Sequence, residues 1–235
     1  MSTIPDVKEA LGVYAVDRFV RDGMKLGLGT GSTAIWAARR VAARLSEGSL
    51  RDIRAVVTSL QTELEARALG IPVSTMNDAS IDSSLDLVID GADEVDPVGN
   101  MIKGGGGALL MEKIIAYSTP TLVIIVDSGK LSQRLCERFA VPVEVVADAV
   151  APVSKRLREM GGDVSLRMAV RKAGPVVTDL GNLLLDVTFR RAFEPRKMED
   201  ELKLIPGVLE NGLFTRKTPK LVVGHSDGTI QIRDF

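Results

Sequence analysis

The sequence predicts an α/β protein: a parallel, Rossmann-like sheet domain with a smaller α+β domain inserted into it. Three observations predict it. Short continuous apolar runs alternate with segments of helical spacing over the first half of the chain. Glycine-rich or acidic turns close those runs. Past Cys136 the alternation gives way to hairpin patterns. Unbroken Val/Ile/Leu runs between helices are the signature of strands covered on both faces, as parallel sheets are. Ligands of such sheets sit beyond the C-terminal strand ends.

Taken in order, Val7–Phe19 carries apolar residues at helical spacing, Met24–Leu28 reads as a short buried strand, and Ser32–Leu45 as a helix with Ser32 or Thr33 near its N-cap. Ile53–Val57 is strand-like, and Gln61–Leu69 is helical, closed by Gly70 and Pro72. Leu85–Ile89 is a strand, Ala108–Tyr117 a helix and Thr121–Val126 a strand. Thr30, Asp90, Asp93 and Asp127 all fall at strand ends. In the second half, Val143–Val146 reads as a strand, Ala151–Met160 as a helix, and Gly161-Gly162 as a break. Asp179–Asn182 reads as a hairpin turn, Met198–Ile205 as a helix stopped by Pro206-Gly207, and Leu221–Ile232 as a hairpin around Ser226-Asp227-Gly228 that returns to the first domain. The expected domains are 1–136 plus 214–235, and 137–213.

Composition narrows the chemistry. The 235 residues include 45% apolar side chains, 30 basic and 31 acidic residues, for a net charge of −1. No basic block points to nucleic acid, and no apolar run approaches the ~20 residues of a membrane span. MSTIPDVKEALGVYAV lacks the charged-then-apolar pattern of a secretory signal. One cysteine, Cys136, fits a reducing cytoplasm, and one histidine, His225, argues against a His-based metal site or a Ser-His-Asp triad. A zinc site or a histidine base is then not expected, and proton transfer falls to Asp, Glu, Lys or Tyr.

The segment Asp86–Ala116 concentrates the candidates. Leu87-Val88-Ile89 ends at Asp90, Gly91, Ala92 and Asp93, delivering two carboxylates to a strand tip. Lys103 enters four glycines, Gly104–Gly107, and Glu112 follows on a helix. Glycine backbone permits close approach to a ligand, and a helix N-terminus offers free N–H groups. Glu112 has apolar neighbours in Leu109, Leu110, Ile114 and Ile115, and partial desolvation would raise its pKa toward that of a general base. Lys113 is read as solvent-facing, and Glu94 and Asp96 as a solvated acidic loop. Upstream, Gly27-Leu28-Gly29-Thr30-Gly31-Ser32-Thr33 joins a strand to a helix and offers N–H groups and hydroxyls to a phosphate or sugar. Gly29, Gly31 and Ala34 fit G-x-G-x-x-A, yet the next strand ends Val56-Val57-Thr58-Ser59 with no acid to hold a ribose, and no P-loop motif is present. Lys130, after Val126-Asp127-Ser128-Gly129, is placed to reach a phosphate as a point charge or to be a surface lysine. Cys136 and Trp36 are read as packing residues, and His225 as a turn residue.

These motifs stand in a familiar order: GLGTGSTA (27–34), VIDGADEVD (88–96), IKGGGGALLMEKIIA (102–116), SGKL (128–131), PVEVV (142–146), VTDLGNLLLDV (177–187) and IPGVLENGLF (205–214). Along nearly its whole length the chain resembles ribose-5-phosphate isomerase of the A type. The resemblance implies interconversion of ribose 5-phosphate and ribulose 5-phosphate, in the pentose phosphate pathway, without metal or nucleotide. It makes Glu112 the base that moves a proton between C1 and C2 through an enediolate. Asp90 and Asp93 become the groups that bind sugar hydroxyls, with a part for Asp90 in ring opening left open, and Lys103 stabilises the charge developing on oxygen. It lines the substrate site with Thr30, Gly31, Ser32, Thr33, Gly91, Ala92, Gly104, Gly105, Gly106 and Lys130, and it implies a homodimer or homotetramer. Met111 stands where many members carry a basic residue, and 188–197 is more basic than that place leads one to expect. Two other readings stay open: an isomerase of another sugar phosphate, such as an amino sugar, and a non-catalytic sugar-phosphate sensor.

Overall fold

A computed structural model of the chain describes residues 6–235; the first five residues, where the stretch lacking a secretory signal begins, lie outside the described residues. The order of elements is α1 (Val7–Phe19), β1 (Lys25–Leu28), α2 (Ile35–Ser46), β2 (Arg54–Val57), α3 (Leu60–Ala68), β3 (Val73–Ser74), β4 (Leu87–Asp90), β5 (Glu94–Val95), β6 (Met101–Ile102), α4 (Leu109–Tyr117) and β7 (Thr121–Asp127). There follow β8 (Val141–Val145), α5 (Val150–Glu159), β9 (Gly162–Leu166), β10 (Leu183–Phe189), α6 (Pro195–Lys203), β11 (Val208–Asn211), β12 (Leu213–Phe214), β13 (Lys220–Gly224) and β14 (Ile230–Arg233). The chain forms two compact units. One takes the residues up to Gly91, Met111–Lys130 and Lys217–Phe235; the other takes Ala92–Leu110 and Leu131–Arg216.

The first unit is built on a seven-stranded sheet in the order β14-β13-β7-β4-β1-β2-β3. Its neighbours are parallel, except that β14 runs antiparallel to β13. All four residues of β4 and five of the seven in β7 are buried, as unbroken apolar runs require. The core collects Leu11, Val16, Leu26, Val41, Ile89 and Val123 from helices and strands. Helix α1 opens on Asp6, whose carboxylate accepts the Lys8 N–H at 3.1 Å, and it seats Gly12 against α2, where a Cβ would stand 2.5 Å from that of Trp36. Helix α2 begins three residues later than expected, and neither Ser32 nor Thr33 caps it. Gly31, at φ +108°, turns the chain first, and its carbonyl accepts the Ile35 N–H at 3.1 Å.

The second unit holds two antiparallel sheets, β11-β8-β10-β9 and β12-β6-β5. Val143, Val145, Leu157, Val187 and Leu202 are in its core. The strand β9 begins at Gly162, where the sequence pattern suggests only a break. The turn at Asp179–Asn182 forms as expected, with Asn182 C=O accepting the Thr178 N–H at 2.8 Å, but only Val177 bridges back to Leu183. Helix α6 starts earlier than expected because Glu194 caps it, accepting the N–H groups of Arg196 and Lys197, with Pro195 in its first turn.

Candidate functional site

In the first unit, the parallel pairing of β1 with β4, Leu28 opposite Ile89, sets the turn after one strand beside the tip of the other. Gly29 therefore lies against Asp90, and a Cβ at residue 29 would overlap Asp90 Oδ1. Asp90 is only 1% exposed. Its Oδ1 accepts the Gly91 N–H at 2.7 Å and the Thr30 N–H at 3.2 Å, two backbone donors that fix the carboxylate. The Thr30 hydroxyl turns inward to Thr58 (2.6 Å), Ser59 (2.6 Å) and Thr62 (3.1 Å). Thr62 in turn donates to the Gly29 carbonyl at 3.0 Å. The end of β2, where a dinucleotide binder needs an acid, thus carries a hydroxyl cluster that braces the glycine turn. Ser32 remains exposed and accepts from Lys8 Nζ at 2.9 Å. Lys8 is a cation at this turn that no motif in the sequence announced.

Two further candidates belong to the same unit. Glu112 sits on α4 and is 4% exposed. Helix α4 packs close to β1, where a Cβ on Gly27 would stand 2.7 Å from Ile115 Cγ2. Of the expected apolar neighbours Ile115 is buried, whereas Ile114 is exposed. Lys113, read as solvent-facing, is 5% exposed; the helix buries both members of the Glu112-Lys113 pair, a turn that helical spacing alone left open. Lys130 closes the short 3₁₀ turn Ser128–Lys130 after β7, where Asp127 Oδ1 accepts the Gly129 N–H at 3.0 Å, and it is half-buried.

The second unit holds Asp93, Lys103 and the glycines. Asp93 Oδ2 accepts the Gly105 N–H at 2.7 Å, and a Cβ on Gly105 would stand 2.6 Å from the other carboxylate oxygen. Glycine is thus required at residue 105 for approach to a carboxylate of the chain itself. Lys103 leaves β6 with its N–H on the Gly212 carbonyl at 2.9 Å; it is 2% exposed, and its Nζ lies 5.4 Å from the centre of the Phe214 ring. Arg167 Nη1 donates to both the Gly104 and Gly105 carbonyls, each at 3.1 Å.

The other two acids of the loop are not solvated. Glu94 is fully buried and gathers the N–H groups of Cys136 (2.8 Å), Glu137 (3.2 Å) and Arg138 (2.9 Å). Asp96 closes the 96–100 turn by accepting from Val98 and Asn100 N–H and from the Asn100 amide. Cys136, at φ +63°, is a packing residue as expected, and burial pushes its thiol pKa up. Among the described residues no group of three or more His, Cys, Asp or Glu is placed to hold a metal ion. No helix of the described residues is long and apolar enough to cross a membrane.

A parallel sheet with fixed carboxylates at its strand ends and buried Glu and Lys side chains on the following segments places the chain in the class of α/β proteins equipped for acid–base chemistry, sugar isomerases among them. The comparisons narrow that class. The profile of ribose 5-phosphate isomerase A (phosphoriboisomerase A) matches residues 54–228, and the chain belongs to that family. It is 47% identical to a ribose-5-phosphate isomerase A of Treponema denticola, over 96% of this chain and 97% of that one. It is 49% identical to one from Synechococcus sp. (strain RCC307), over 97% and 96%. A solved D-ribose-5-phosphate isomerase in complex with phospho-erythronic acid superposes with a TM-score of 0.94 at 39% identity, covering 99% of this chain and 100% of that one. The ribose 5-phosphate isomerase of Plasmodium falciparum superposes at 0.92 and 33% identity, covering 97% and 98%.

Proposed function

We propose that this chain interconverts D-ribose 5-phosphate and D-ribulose 5-phosphate through an enediolate, a step of the non-oxidative pentose phosphate pathway, in the cytoplasm and as a homo-oligomer. The observation that carries the reading is the burial of two ionisable side chains, Glu112 and Lys103, within a ten-residue stretch of a family whose members bear that activity in their names. Burying a carboxylate and an ammonium costs several kcal/mol each, a cost that function rather than stability accounts for.

The roles follow from the chemistry. The Glu112 carboxylate removes the proton from C2 of the open-chain aldose and returns it to C1, while the O2 hydroxyl proton passes to O1, so that C2 becomes the ketone carbonyl and C1 a hydroxymethyl group. The electron pair moves toward the C1 oxygen, and the Lys103 ammonium stabilises the charge that develops there. Asp90 and Asp93, each locked by backbone N–H groups, hold sugar hydroxyls, and Asp90 is the candidate to assist ring opening. The phosphate falls to the Thr30–Thr33 turn and to Lys130, and Lys8, already on Ser32, adds charge to that turn. The family resemblance assigns Gly91, Ala92 and Gly104–Gly106 to the substrate site as well.

The test is a coupled assay of ribulose 5-phosphate formation from ribose 5-phosphate, with glucosamine 6-phosphate as the competing substrate. Turnover of the pentose phosphate with none on the amino sugar is expected. Preference for the amino sugar, or tight binding of ribose 5-phosphate without turnover, would overturn the assignment.

A further inference from the structure

We infer that Arg167, oriented by Asp186, is a positioning residue that sets the peptide planes of the Lys103–Gly106 loop. The inference rests on the reading that this loop serves the isomerisation. Arg167 follows β9, and its backbone is pinned on both sides: its N–H donates to the Leu184 carbonyl and its C=O accepts from Val176 N–H, each at 2.9 Å. Asp186 lies on β10 diagonally across from it, near enough for a long side chain to reach. The carboxylate takes the guanidinium in a two-pronged pair, Nε to Oδ2 at 2.9 Å and Nη2 to Oδ1. That pairing fixes the guanidinium plane and directs the remaining nitrogen, Nη1, to the Gly104 and Gly105 carbonyls at 3.1 Å each.

The consequence for the loop is specific. The Gly104–Gly105 peptide is held at both ends, its oxygen by Arg167 and its N–H by Asp93 Oδ2. The next peptide has its oxygen on the same Nη1. Because the peptide is trans, its N–H, that of Gly106, points away from Arg167. A cation on a peptide oxygen also strengthens the N–H of that peptide as a donor. Glycines on their own would sample many such orientations, and Arg167 selects one. Lys103 enters this loop and Asp93 is tied to it, so the orientation of two proposed active residues depends on one arginine outside every motif in the sequence.

A lysine at residue 167 keeps the charge but gathers its donors on one nitrogen, without the planar fork that grips the Asp186 carboxylate with two nitrogens and presents the third to the loop. The tests are therefore Arg167→Lys, Arg167→Met and Asp186→Asn, read by kcat, KM, melting temperature and hydrogen–deuterium exchange of the peptide spanning 103–107. Misplacing reacting groups by about 1 Å costs on the order of 10²-fold. We expect kcat to fall about 10- to 100-fold in Arg167→Lys and in Arg167→Met, with KM within about threefold and loop exchange at least about tenfold faster. Asp186→Asn, which retains the arginine, should show a smaller change in the same direction. Native kcat and native exchange in Arg167→Lys would overturn the inference, as would a loss that lysine fully restores, since that would mark a role for charge alone. Should the wild-type chain prove to have no isomerase activity, the proposed function falls while the exchange data still decide whether Arg167 sets the loop. If Arg167→Met does not fold, Arg167→Lys and Asp186→Asn carry the same comparison.

Discussion

Replacing Gly29 by alanine tests whether the two strand tips are matched as tightly as their geometry indicates. The added Cβ would overlap Oδ1 and Cγ of Asp90 and stand 2.7 Å from its Cα. Swinging the Asp90 side chain away relieves the first two contacts but not the third, because Gly29 N–H is bonded to the Ile89 carbonyl at 2.9 Å and both strands lie inside the sheet. Moving the carboxylate also strips its bonds from the Thr30 and Gly91 N–H groups. Bonds to a charged acceptor contribute about 1.5–3 kcal/mol each, and overpacking adds about 1–3 kcal/mol. A loss of at least about 4 kcal/mol follows, a large share of a typical folding free energy of about 5–15 kcal/mol. At about 2–4 °C per kcal/mol for a chain of this size, the melting temperature should fall by about 8 °C or more. Gly31→Ala is the control: its φ of +108° strains an alanine, yet nothing lies within 4 Å of the new Cβ. It should cost only about 1–2 kcal/mol. Scanning calorimetry of the two variants decides the matter. A Gly29→Ala protein melting within about 2 °C of wild type, or no lower than Gly31→Ala, would show that the two strand tips have room to spare.

Other expectations concern residues away from the strand tips. Glu94→Ala leaves three backbone N–H groups without their acceptor and should cost about 3–5 kcal/mol, lowering the melting temperature by about 10 °C; a shift under about 3 °C would show that water replaces the carboxylate. Cys136 should resist a thiol reagent until the protein unfolds. Burial raises its thiol pKa above the ordinary value of 9.0, so the folded chain holds that proton more tightly than the unfolded one. Its contribution is complete below the unfolded thiol pKa and is lost as pH rises beyond it. Cys136→Ala should therefore flatten the fall in melting temperature between about pH 8.5 and 10; an unchanged slope would contradict this. With proton transfer and charge stabilisation assigned to Glu112 and Lys103, EDTA should leave turnover intact, and strict dependence on a metal would overturn those assignments.

What could be read from the sequence was whatever neighbouring residues determine. The buried strands β1, β4 and β7 were legible because parallel strands are apolar on both faces, and the C-terminal hairpin because Asp227-Gly228 marks its turn. Strand β9 was not: its residues alternate between half-buried and exposed, and it opens on a glycine pair that reads as a break. Glu94 was misread because the amides that bury it lie 42 to 44 residues away. Arg167 went unseen for the same reason, its carbonyl partners being 62 and 63 residues distant. Lys113 was misread because position on a helix does not say which faces are covered. The glycine run was legible as a demand for close backbone approach, but not that Asp93 makes the demand at residue 105.

The central claim is that Glu112 carries the proton. The most direct test is the steady-state rate of ribulose 5-phosphate formation by Glu112→Gln beside the wild-type chain, with ribose 5-phosphate binding measured on both. Substrate affinity should stay within a few-fold of wild type while kcat falls by at least ~10²-fold, the usual contribution of a positioned base. A Glu112→Gln protein that binds and turns over ribose 5-phosphate at a near-native kcat would contradict that claim.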